Sequence, residues 1–397
     1  MPLKSDFSQG SASAVVDDIL KNAVMRRASD IHLDPESEKL FVRFRIDGVL
    51  YPYATVPIHT QDEVTSRIKV AGKMNIAERR FPQDGRLEFS YDGKVYNVRI
   101  STTPTIHGEA VALRILTKDS IVVGLNDLGL DTEQLQTLTG LVTSPYGMVL
   151  ITGPTGSGKT TLLYSILGSF DRQAHNIITL EDPIEIELGG IRQIQVDEGI
   201  GLDFAKALRS VMRQDPNVIM VGEIRDPDTA QMAFQAALTG LLVFSTFHTF
   251  DVAGLVVRFI EMGVPRSVVA HSLGGVVSSR LVRKICSSCA VSYRMTDLEK
   301  KILGISGKEA DFKKGTGCNQ CQKSGYLGRT GLFEIVQFDD DMRTRIIEER
   351  SIETLRDFFQ KKIPKSLRSV AKDKVLQGVT TAEEVIRVLG TDIGQLS

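Results

Sequence analysis

Gly147 to Thr152 is a short apolar run that leads directly into GPTGSGKTT, Gly153 to Thr161. Those residues fit the phosphate-loop pattern, whose mechanism requires a strand ahead of the loop and a helix behind it. Glycines let backbone N–H groups approach phosphates, and the helix N-terminus adds positive potential. The segment comprises Gly153, Pro154, Thr155, Gly156, Ser157, Gly158, Lys159, Thr160 and Thr161. In such a loop Lys159 reaches the β- and γ-phosphates of ATP, and the Thr160 hydroxyl binds Mg²⁺. A buried strand feeding a helix commits the surrounding chain to an α/β architecture with a parallel sheet.

The pattern around the loop agrees. His175 to Glu181, Asn217 to Glu223 and Leu241 to His248 are short apolar runs with polar ends, and helical segments are expected at 159–169, 203–214 and 227–238. In parallel sheets, ligand groups gather at the carboxyl ends of strands. Glu223 ends one run and is placed either to orient the attacking water or to stand as a solvated strand-end carboxylate. Glu181 and Asp182 end another, with Glu185 close by. Two or more of these carboxylates can hold Mg²⁺ through its waters, with roles that spacing does not separate. His248 ends a third run and is either a γ-phosphate contact or a hydrogen-bonded structural residue.

At 397 residues the chain exceeds one ordinary domain. Ahead of the loop, residues 14–28 carry a helical stripe of Val15, Val16, Ile19, Leu20, Ala23 and Val24. A strand at 39–47 turns Val42, Phe44 and Ile46 to one face and Arg43 and Arg45 to the other. Thr60 and Glu63 have capping-box spacing, which predicts a helix from there to about Met74. Asp92-Gly93 reads as a hairpin turn, and strands near 95–101 and 110–116 complete a small α+β domain. Arg99 and Arg114 leave the apolar faces of those last two strands. By spacing alone they read as solvated arginines.

Cys286-x2-Cys289 and Cys318-x2-Cys321 form two close pairs with 28 residues between them. Four thiolates so spaced close a tetrahedral structural Zn²⁺ site with no open position for chemistry. A formal net charge of −1 argues against a general nucleic-acid coat. No apolar run reaches the roughly 18 residues of a membrane helix, so membrane contact is expected to be peripheral. The expected domains are 1–118, a linker at 119–128, the ATPase core 129–283, the tetracysteine module 284–330 and a helical subdomain 331–397.

Read together, these blocks resemble the secretion ATPases of type II secretion and type IV pilus assembly. The likeness runs from about Asp17 to the C-terminus. It includes ASDIH (Ala28 to His32), VRFRIDG (Val42 to Gly48), IAERRFPQDGR (Ile76 to Arg86), EDPIE (Glu181 to Glu185), RQDPNVIMVGEIRD (Arg213 to Asp226) and TGLLVFSTFHT (Thr239 to Thr249). The resemblance implies a PAS-like N-terminal domain, a RecA-like core, a zinc module and small C-terminal helices. It implies ATP hydrolysis with Glu223 as the catalytic glutamate, and an acidic box that includes Glu181 and Glu185. Arg99 and Arg114 match the family's phosphate-sensing arginines, which are expected to clamp ATP against the core of the same chain. His248 matches the second histidine of a His box, while Leu241 replaces the first.

The paired cysteines point to the assembly and secretion branch rather than to pilus retraction. Also implied are a cytoplasmic ring of six subunits, an inner-membrane platform protein and a cytoplasmic docking protein. The extra leading domain of many relatives is not expected here. The competing expectation is a nucleic-acid motor or DNA-uptake ATPase that reads nucleic acid with the tetracysteine module.

Overall fold

The computed structural model describes residue 7 and residues 10–116, 122–249, 251–305 and 312–391. Lys118 and the first residues of the expected linker, 119–121, lie outside them. The chain divides into two compact units. The smaller takes Met1–Ser120, Cys286–Ala290 and Gly315–Gly328, and the larger takes Ile121–Ile285, Val291–Lys314 and Arg329–Ser397.

The smaller unit is built on a six-stranded antiparallel sheet in the order β3-β2-β1-β6-β5-β4. Its strands are β1 (Ala28–Pro35), β2 (Lys39–Ile46), β3 (Val49–Pro57), β4 (Gln83–Tyr91), β5 (Lys94–Thr105) and β6 (Gly108–Leu116). Alternation sends Ile31, Leu33, Val42, Phe44, Val98, Ile100, Val111 and Leu113 into one core. Helix Ala12–Met25 covers that core with Val15, Val16, Ile19, Leu20 and Ala23. This helix stops short of 28 because Arg27 turns at φ 57° and Ala28 already opens β1. Asp92 and Gly93 both take positive φ, 51° and 72°, the pairing that a two-residue hairpin turn demands.

The capping box at Thr60 does not form. A 3₁₀ turn, Ile58–Thr60, precedes helix Gln61–Ala71, so Thr60 is already helical rather than extended. Its hydroxyl donates to the Pro57 carbonyl instead, at 2.9 Å. The helix ends at Ala71, not Met74, with Gly72 as its cap.

The larger unit holds a seven-stranded sheet in the order β15-β12-β7-β11-β10-β8-β9. These are β7 (Gly147–Thr152), β8 (Ile177–Glu181), β9 (Arg192–Gln195), β10 (Val218–Val221), β11 (Leu242–Phe247), β12 (Leu273–Ile285) and β15 (Tyr326–Gln337), while β13 (Ala290–Tyr293) and β14 (Phe312–Gly315) pair in a separate two-stranded sheet. From β12 to β9 each neighbouring pair is parallel. Along β7, Met148 and Leu150 enter one hydrophobic cluster while Val149 and Ile151 enter another. Burial on both faces explains why these strands read as continuous apolar runs. Helices Lys159–Ser169, Phe204–Val211 and Pro227–Leu238 fall where expected, the second three residues shorter at its C-terminal end. Asp339 caps helix Asp340–Glu348, the start of the charged helical tail.

Candidate functional site

The loop between β7 and its helix owes its shape to three glycines with positive φ: Gly153 (148°), Gly156 (77°) and Gly158 (93°). At Gly153 a side chain has no room. A Cβ there would lie 2.5 Å from Ser157 Oγ and 2.6 Å from the Ser279 carbonyl oxygen. Strand β12 braces the loop from the side, with Ser157 Oγ 3.1 Å from Ser279 Oγ and Ser279 Oγ donating to the Thr152 carbonyl at 3.2 Å. Lys159 Nζ folds back onto the loop, donating to the carbonyls of Gly153 (2.7 Å) and Pro154 (3.0 Å). Burial holds its pKa below the ordinary lysine value, and Arg280 pushes the same way against the opposing charge of Glu223. Pro154, Thr155, Gly156 and Thr160 are exposed on the rim.

The carboxylates at the neighbouring strand ends divide into two kinds. Glu181 is buried, and its carboxylate accepts hydrogen bonds from Tyr164, from Thr179 Oγ1 (2.6 Å) and from Gln193 Nε2 (3.0 Å). Burial, and next the bond to Glu181, pushes the Tyr164 phenol upward; the same hydroxyl meets the backbone N–H groups of Glu185 and Ile186. Glu181 thus ties the helix after the loop to the segment that carries Glu185. Glu223 instead lies open to a cavity of about 530 Å³, which His248 and Arg225 also line. Arg225 pairs with Glu223 and reaches Asp182 at 3.5 Å. So Lys159, Glu223, Asp182 and His248 gather at the carboxyl ends of adjacent parallel strands. Leu241 is elsewhere, at the opposite end of β11, packed against the apolar core.

In the smaller unit, Arg99 and Arg114 face each other directly across β5 and β6. Arg114 Nε donates to Asp30 Oδ1 at 2.9 Å, and Arg45 approaches the other Asp30 oxygen at 3.6 Å. Arg86 stands opposite Arg99 on β4. The result is a row across the polar face of the sheet: Arg45, Asp30, Arg114, Arg99, Arg86. Asp30, Arg45 and Arg86 are absent from the site residues expected above, where Arg45 appears only on the polar face of its strand. The signal lay in ASDIH, VRFRIDG and QDGR, but only strand register aligns them.

All four cysteines converge in this same unit. Sγ–Sγ separations are 3.8 Å for Cys286–Cys318 and Cys289–Cys321 and 3.7 Å for Cys318–Cys321. A tetrahedron with Zn–S bonds of about 2.3 Å has edges of about 3.8 Å, so the thiols fit Zn²⁺ and are far too separated for disulfides. Backbone N–H groups of Gly317, Cys318 and Gly325 donate to the sulfurs of Cys289 and Cys321 at 3.1–3.3 Å. The Gly328 N–H donates to Asp47 Oδ2 at 3.0 Å, joining this segment to the turn after β2.

Residues 6–387 match the sequence model of the family described as "Type II/IV secretion system protein". The chain belongs to that family. The chain is 43% identical over 375 residues to the type II secretion system protein E of Pseudomonas aeruginosa, covering 94% of this chain and 74% of that one. To the type IV pilus assembly ATPase PilB of Thermus thermophilus it is 41% identical over 389 residues, 97% of this chain but only 44% of the longer relative. Among solved structures, the pilus retraction motor PilT with bound ADP superposes with a TM-score of 0.58 at 26% identity, over 94% of this chain and 96% of that one. Among the described residues, no helix is long and apolar enough to cross a membrane.

Proposed function

We propose that this chain binds MgATP on the Gly153–Thr161 loop and hydrolyses it to power filament assembly in a type II secretion or type IV pilus machine. It would work as a ring of six at the cytoplasmic face of the inner membrane, on a platform protein and a cytoplasmic docking protein. The observation that carries the reading is that Lys159, after β7, and Glu223, after β10, lie at the same sheet edge with only β11 between their strands, opposite in charge and electrostatically coupled. The names of the relatives give the direction of the work.

In this reading the loop amides and Lys159 hold the phosphates, and Lys159 exchanges its two loop carbonyls for phosphate oxygens. Thr160, with Asp182 and Glu185 acting through water, would hold Mg²⁺, which neutralises phosphate charge. Glu223 takes the proton of the attacking water, with its carboxylate set by Arg225. Glu181 is a positioning residue that acts through Tyr164 and Gln193. His248 borders the cavity that Glu223 faces. The four cysteines hold one structural Zn²⁺.

Lys159→Ala tests the site. Losing a charge-assisted bond of about 1.5–3 kcal/mol should weaken ATP roughly ten- to a hundredfold in a calorimetric titration. An unaltered Kd, or no ATP turnover by the unaltered protein, refutes the proposal.

Arg99 and Arg114 enter as phosphate-sensing groups, since guanidinium is always charged and forks onto phosphate oxygens. Arg114→Ala is expected to lower kcat at least about tenfold and leave ATP affinity within about twofold, the pattern of an interaction made in the transition state. Equal kcat in Arg114→Ala and the parent would remove this arginine from the mechanism.

A further inference from the structure

Strand β12 does more than brace the loop. Ser279 and Leu281 touch it from one side of the strand: Ser279 at Ser157 and Thr152, Leu281 with side-chain carbons 3.4 Å from where a Cβ on Gly158 would sit. Between them in sequence, and leaving the strand on the other face, is Arg280, only 8% exposed. Its Nη1 donates at 2.8 Å to the Ser279 carbonyl, the same oxygen on which Gly153 packs. Lys159 meanwhile donates to the Gly153 carbonyl. Lys159 thus bonds the first glycine of the loop directly, and Arg280 bonds the carbonyl that packs against that glycine.

Among the described residues, the Arg280 guanidinium makes this one hydrogen bond and has no carboxylate at ion-pair distance. The carboxylate that supports its charge through space is Glu334, which is itself engaged by the Leu367 N–H at 3.2 Å and Ser278 Oγ at 3.5 Å. A guanidinium stays charged at any relevant pH, and buried charge without a partner is costly. Buried arginines are usually satisfied by carboxylates, whereas this one is satisfied by a single carbonyl beside a phosphate loop. Both neighbouring cations thus donate only to carbonyls, while the carboxylates that oppose their burial, Glu223 and Glu334, make no ion pair with them, which leaves the pair able to take up an anion.

We infer that Arg280 is a second cation of the nucleotide site, which leaves the Ser279 carbonyl to pair with a nucleotide phosphate beside Lys159. This rests on the loop's being an ATP site. The partner chemistry is a di- or triphosphate, because a lone monoanion would be met by Lys159 and the loop amides alone.

The test measures binding of ATP, ADP and pyrophosphate by calorimetry, and thermal unfolding without nucleotide, in the unaltered full chain, Arg280→Met and Arg280→Lys. Methionine fills the volume of the arginine stem without its charge. Arg280→Met is expected to weaken all three ligands about tenfold or more while its nucleotide-free midpoint is held or raised. Arg280→Lys should recover part of the affinity. Unchanged affinity in Arg280→Met overturns the role of Arg280. So does a lowered nucleotide-free midpoint in Arg280→Met together with no recovery of affinity in Arg280→Lys, which would mark a structural arginine. If the unaltered chain binds none of the three ligands, the reading of the loop itself falls, and Arg280 with it.

Discussion

Glu223→Gln is expected to keep ATP bound with near-normal affinity and to turn it over about a hundredfold more slowly or worse. The amide matches the carboxylate in shape and accepts the Arg225 hydrogen bond, so the strand end should hold its geometry. What it loses is the capacity to take a proton. Charge shifts slightly in favour of binding, because Glu223 sits close enough to Lys159 to oppose the effect of burial on the ammonium. Rapid-quench single turnover, read beside the ATP Kd, separates the two effects. A single-turnover rate within about threefold of the parent would remove Glu223 from proton transfer and leave it a strand-end partner of Arg225.

Removing the metal should have the largest effect on stability. Structural Zn²⁺ contributes on the order of 10 kcal/mol in small zinc modules, and that binding energy is folding energy. Elemental analysis is expected to give one zinc per chain, falling in Cys318→Ser. Chelation should lower the unfolding midpoint and loosen 286–290 and 315–328 in hydrogen exchange, while β7 to β11 stay protected. Metal-free protein that unfolds at the same temperature would show that backbone N–H···S bonds hold the thiols without an ion.

The parallel core was legible because its strands are buried on both faces, which writes uninterrupted apolar runs into the chain. The phosphate loop was legible because its glycines are obligatory, as the 2.5 Å approach at Gly153 illustrates. Thr60 misled because its spacing to Glu63 carries no information about the preceding backbone. Strand β1 was hidden inside ASDIH, whose half-buried Asp30 and His32 interrupt the apolar pattern. Arg280 and the Lys69–Glu109 ion pair, 1% and 8% exposed, were also missed. Charge in a sequence reads as surface, and only the fold shows which charges are interior. The row of four arginines and Asp30 across β2, β1, β6, β5 and β4 needed strand register, which distant segments determine jointly.

The path of the chain bears on how the protein is made. Strands β1 to β6 are synthesised by Leu116, and β7 to β12 by Ile285. Neither unit is then finished. The smaller still lacks its cysteine segments, which close only with Cys318 and Cys321, and the larger sheet lacks its edge strand β15, which follows at Tyr326–Gln337. One late stretch, Cys318 to Gln337, therefore completes both. A nascent chain halted before it would expose the flank of β12 and two unmatched thiols together. Translation thus couples the maturation of the two units, and the fourth thiol becomes available only after the Gly153–Thr161 loop has been synthesised.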